Sequence, residues 1–234
     1  MHRHLWRTAV ATGMAGLLAL GVPSAAAEPL DERGLRQALL EVTDFPPGWA
    51  TDSDKTAERR GIGVPSPVED HCRELFESAS GLAARAQFAR SSSGPFVTTS
   101  TEAHAGPEQA REVLEDLREA AGECESFRAR EGTGRHAVMV GYEAEELEMK
   151  GLGDDSVAVR FHRVLEGEAT TPVVADVVIS RVGSHTVRVA QAGREDVESE
   201  RVEPLAVRAV ERLQQVLDGI VPTPAPDQPD SVDL

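Results

Sequence analysis

Asp154, Asp155 and Ser156 are the densest group of side chains in this sequence with the chemistry for acid–base or nucleophilic work. Adjacent carboxylates divide the roles of acid and base when burial drives their pKa values apart. Here the pair lies in GLGDD, ahead of a strand-like run, where aspartate is favoured because its side chain bonds the neighbouring backbone. Turn chemistry is therefore the reading. Ser156 lacks the G-x-S-x-G setting of a hydrolase elbow. The histidines beyond residue 27, His71, His104, His136, His162 and His185, show no H-x-H or H-x-x-x-H spacing, so no metal ligands are assigned. EGTGR at 131–135 lacks the closing Lys and Ser or Thr of a phosphate-binding loop. No catalytic residue and no cofactor follow from these patterns.

Binding residues are better supplied. Arg160 and His162 alternate with Val157, Val159 and Phe161, so both project from the polar face of one strand, a solvated face or one wall of a groove. Trp49 ends the rigid turn DFPPGW, where an aromatic serves either as a plug over the core edge or as a stacking platform. With Tyr142, these make Trp49, Tyr142, Arg160 and His162 the ligand-binding candidates of any cleft. Cys72 and Cys124 are an even pair, and in an exported chain the default for such a pair is a disulfide.

The elements that must hold these residues are legible from period. Pro107 opens a helix whose inward positions are Ala110, Val113, Leu114, Leu117, Ala120, Ala121 and Cys124. Asp31 caps a short helix carrying Leu35, Ala38, Leu39 and Val42. Ser66 to Glu69 reads as a capping box for a helix with Val68, Cys72, Leu75, Phe76 and Ala79 on its inner side. Strands are expected at 84–90, 96–104, 136–142, 143–149, 157–162, 172–181 and 186–191, the last two joined by a tight Gly183–Ser184 turn. Pro204 opens a final amphipathic helix.

His2, Arg3, His4 and Arg7 precede the apolar run 8–22 and the small residues Ser24, Ala25, Ala26 and Ala27, the pattern of a signal peptide spanning 1–27. The run is too short for a bilayer span, so cleavage leaves no membrane segment, and no cysteine stands at the cleavage site to take a lipid. A single mixed α/β domain then fills 28–220, followed by a Pro- and Asp-rich tail, 221–234, expected to be disordered. The formal charge of −16 argues against nucleic acid and anionic lipid as partners.

The segments ALLEVTDFPPGW, PVEDHCREL, ECESF, GLGDDSVAVR and SRVGSHTVRV together resemble the PknH-like extracellular sensor domain family of actinobacteria. The resemblance implies an α+β fold, a curved antiparallel sheet packed with amphipathic helices, and a cleft for an unidentified ligand. The chain departs from the family in having no kinase, no lipid-accepting cysteine and one cysteine pair where the kinase-attached sensor has two. The expectation is a secreted, non-catalytic binding or sensor-type domain of the bacterial cell envelope, taking a small molecule or envelope component. The alternatives are an extracellular hydrolase using Asp154, Asp155 and His162, and an acidic module that meets a basic protein partner.

Overall fold

A computed structural model describes residues 29–54, 61–76, 82–132, 134–164, 173–194 and 202–223. The signal peptide assigned to 1–27 and all but the first three residues of the tail fall outside these. Eight strands form one curved antiparallel sheet: β1 (Ala50–Thr51), β2 (Leu82–Ala89), β3 (Phe96–Ala103), β4 (Ser126–Glu131), β5 (Val138–Glu146), β6 (Asp155–Val164), β7 (Val173–Val182) and β8 (His185–Arg194). Their order is β1-β2-β3-β8-β7-β6-β5-β4. Among the described residues three α-helices accompany them: α1 (Glu32–Gln37), α2 (Pro107–Glu123) and α3 (Val202–Leu217).

The sheet is covered on both faces, and its central strand β7, VVADVVISRV, reads accordingly as a near-continuous apolar run. On one face Val159, Phe161, Ala175, Val177, Ile179 and Ala190 meet Leu114, Leu117 and Ala120 of α2 together with the disulfide. Cys72 and Cys124 are bonded, fully buried, and 5.5 Å apart at Cα. On the other face Ala158, Val178, Val187 and Val189 meet α3, while Phe45 and Trp49 cover Phe88 and Val97. No helix among the described residues is long and apolar enough to cross a membrane.

Local chemistry fixes most element ends. Pro107 starts α2, and Asp31 accepts Gly34 N–H to start α1. Gly153 turns with φ +63°, and a Cβ there would come within 2.4 Å of the Arg181 carbonyl oxygen, so the turn before β6 requires glycine. Two sequence expectations are corrected, and one strand is added. A single strand, Val138–Glu146, replaces the two expected over 136–149. β4 had no sequence assignment, since SFRARE alternates with only Phe127 and Ala129 apolar. The Ser66–Glu69 capping box does not form: Pro67 bridges Ala129, Val68 N–H bonds the Arg128 carbonyl at 2.9 Å, and only a 3-10 helix, Asp70–Leu75, follows. Pairing with β4 holds that segment extended, and Glu69 instead accepts from Arg128 N and Nε.

Two buried histidines lie at the end of β3 and the start of β8, and one of them ties the segment before α1 to the sheet. Leu30 N–H donates to His185 Nε2 at 2.9 Å, so the neutral ring must carry its proton on Nδ1. His104 Nε2 lies 2.9 Å from Thr186 Oγ1. Burial pushes both imidazoles below their ordinary pKa, His185 further disfavoured by charge on His104. The unfolded chain then binds protons first as pH drops below about 6.5, so stability falls with acidification through that range. Calorimetry between pH 7.5 and 5.5 should show a declining melting temperature, and His185→Gln, which retains an acceptor, should flatten the decline. A flat profile in the parent protein would show that these rings stay accessible to protons when folded.

Candidate functional site

A large concavity arises where two elements fail to match in length. β4 begins at Ser126, opposite Glu143, whereas β5 runs on to Glu146 with β6 still paired to its other side. The chain before β4 turns away into α2 because Cys124 is fixed to Cys72. The space left beside the end of β5 is an open groove of about 1030 Å³, walled by Ala121 and Gly122 of α2, by residues 143–149, and by Ser156–Val159 of β6. Arg118 of α2 closes one end, donating to both Asp155 carboxylate oxygens at 3.0 and 3.2 Å.

Electrostatically the groove is anionic. Glu125, Glu143, Glu145, Glu146 and Glu148 line it against Arg118 and His162, with Leu147, Met149 and Val157 as apolar patches. His162 Nε2 lies 2.8 Å from Glu145 Oε1. Among the described residues no group of three or more His, Cys, Asp or Glu is arranged to hold a metal ion.

The four ligand-binding candidates from the sequence do not converge. His162 lines the groove. Arg160 projects from the same face of β6 but is clamped by Asp176 at 2.6 and 2.7 Å, beside an adjoining cavity of about 250 Å³ that shares Leu147, Glu148 and Met149 with the groove. Tyr142 lies on the opposite face, stacked on Phe127, its hydroxyl donating to Glu131. Arg163 donates to the same carboxylate through Nε and Nη2, both at 2.9 Å. Burial raises the Glu131 carboxyl pKa, but the bonds from Arg163 and Tyr142 outweigh it and hold the group below its ordinary value. The Tyr142 hydroxyl is pushed upward by burial and by Glu131. This trio lines a cleft of about 580 Å³ with Arg130 and Arg194. Trp49 is buried against Phe45, ring centroids 5.0 Å apart, as part of the α3-side core.

The acid pair also has structural partners. Asp154 accepts Gly183 N–H at 2.7 Å and pairs with Arg181, while Asp155 takes Arg118 and Ser156 N–H. Ser156 Oγ accepts Leu152 N–H at 3.1 Å. Glu146 and Glu148 were missed by sequence reasoning. The run EAEELE was their signal, but composition alone cannot say that β5 outlasts its neighbour.

No protein-family model matches the chain, and no curated protein matches it in sequence. Solved structures do. The extracellular domain of PknH from Mycobacterium tuberculosis aligns with a TM-score of 0.51 at 12% identity, covering 82% of this chain and 97% of that one. An uncharacterized Mycobacterium smegmatis protein, the Rv0999 ortholog, aligns with a TM-score of 0.41 at 14% identity and the same coverages, 82% and 97%. At 12% identity the likeness to the PknH domain is one of fold, and the fold is the one that the sequence resemblance implied.

Proposed function

We propose that the chain is a non-catalytic, sensor-type ligand-binding domain that works outside the cytoplasm in the bacterial cell envelope, and that the groove beside β5 receives its ligand. The observation that carries this reading is the groove itself: about 1030 Å³ of open space walled by five glutamates, large enough for a sizeable ligand and selective for positive charge. The fold shared with an extracellular domain supports the location. The side chains best suited to hydrolysis support the non-catalytic part, since Asp154, Asp155 and Ser156 each hold a turn or dock α2.

A thermal-shift screen with polyamines, amino sugars, peptidoglycan fragments and other envelope metabolites tests the proposal. Saturation at a hundredfold excess over Kd adds about 2.7 kcal/mol, a readily measured rise in melting temperature. Cationic ligands should stabilise the parent protein and lose that effect in a Glu145→Gln/Glu148→Gln variant. Equal stabilisation of the variant would move the site elsewhere. Turnover on a broad hydrolase substrate panel, abolished by Asp155→Asn, would replace the sensor reading with the enzymatic one.

A further inference from the structure

The groove contains more than carboxylates: it contains an unfinished sheet edge. Ala144 N–H donates to the Glu125 carbonyl at 2.8 Å, the last backbone bond on the β4 side of β5. On the β6 side the ladder continues past the end of the strand, with Leu147 N–H bonding the Ala158 carbonyl at 3.0 Å. Backbone groups in an antiparallel ladder point to alternate neighbours. Ala144 points outward and Leu147 inward, so the backbone N–H and C=O of Glu146, between them, point away from β6 into the groove, and the same alternation carried one step further turns Glu148 to that side. Among the described residues no backbone or side-chain group bonds them.

We infer that this edge is a strand-addition site for an extended, lysine- and arginine-rich polypeptide, which pairs alongside residues 145–148 in line with β4. The inference rests on the groove as the binding site and names its occupant. A polypeptide is the class that presents donors and acceptors alternating at strand spacing, which is what an open edge recognises. Charge selects a basic one. Side chains alternate across the sheet, so Glu146 stands on the α2 side and Glu143 and Glu145 on the other. A strand laid here would meet carboxylates at both of its faces. The same charge rejects a second copy of this chain, whose formal charge is −16. Room comes from the methyl group of Ala121, from Gly122, which has no side chain, and from the disulfide, which keeps the α2–β4 connection from closing over the edge.

The competing role for these glutamates is to guard an exposed edge against pairing. Fluorescence anisotropy at low ionic strength separates the two, using the full domain and a labelled decapeptide of alternating lysine and threonine. A second peptide, N-methylated at the residues that would face β5, keeps every charge but cannot pair. The parent peptide should bind about tenfold more tightly than the methylated one, the effect of losing a few backbone hydrogen bonds. Glu146→Pro removes the outward N–H and should weaken the parent peptide comparably, whereas Glu146→Gln, which removes charge alone, should weaken both peptides by a similar, smaller factor. Equal binding of the two peptides overturns strand addition, as does no binding of either. If spermidine still protects the groove while both peptides are inert, only strand addition fails; if spermidine is inert as well, the groove proposal fails with it.

Discussion

Replacing Asp44 by alanine should destabilise this domain by about 3–5 kcal/mol, the cost of leaving a buried charge without its partner. Asp44 sits in the short 3-10 turn Val42–Asp44, with its side chain 0% exposed. It accepts Arg208 Nε at 2.7 Å and Glu41 N–H at 2.8 Å, and Arg212 Nη1 lies 3.2 Å away, close enough for charge pairing though not aligned as a hydrogen bond. Arg212 is only 1% exposed, so without Asp44 its remaining contacts are the Gln37 carbonyl and Glu41. For a domain of this size the loss corresponds to a fall in melting temperature on the order of 10 °C. Arg212→Met should cost less, because Asp44 keeps Arg208 and the methionine fills the vacated volume. A loss below about 1 kcal/mol in Asp44→Ala would mean that water reaches the pair.

Removing the disulfide with Cys72→Ser/Cys124→Ser should cost about 2–5 kcal/mol. The bridge spans 52 residues, including β2, β3 and α2, so its loss returns considerable freedom to the unfolded chain. Both cysteines are fully buried, and the serine hydroxyls would need partners in an apolar site. Differential scanning calorimetry of the double variant, and of the parent with and without reductant, measures the effect. An unchanged melt would show that packing of α2 on the sheet suffices. A folded double variant with reduced peptide binding would further show that the bridge keeps the groove open.

Much of this architecture was legible because local patterns and tertiary requirements agree. Pro107, the run of inward residues to Cys124, and the alternation from Val157 to Phe161 each specify an element whose buried face matches what the fold buries. β4 escaped notice because most of SFRARE is polar. It is a strand because Tyr142 and Val140 offer Phe127 and Ala129 partners, information that lies outside the segment. The cysteine helix reads well as an amphipathic pattern, yet the bridge between Pro67 and Ala129 makes its start extended. Arg212 shows the same limit: it occupies a position that charge would place in water, and only the facing Asp44 and Glu41 make its burial tolerable.

The mixed α/β content, the cysteine pair, the acidic character and the lack of a recognisable catalytic motif follow from residue type, parity and short-range period, and the curved antiparallel arrangement from the resemblance to the sensor family. The site depends on how the strands pair. Strand alternation placed Arg160 and His162 together, but only the register with β5 and β7 gave them Glu145 and Asp176 as partners. Tyr142 faced the other way once β5 was laid down. The groove exists because β4 starts opposite Glu143, three residues short of Glu146, where β5 still pairs with β6, and a mismatch between neighbouring strands is a property of pairing that no single segment contains.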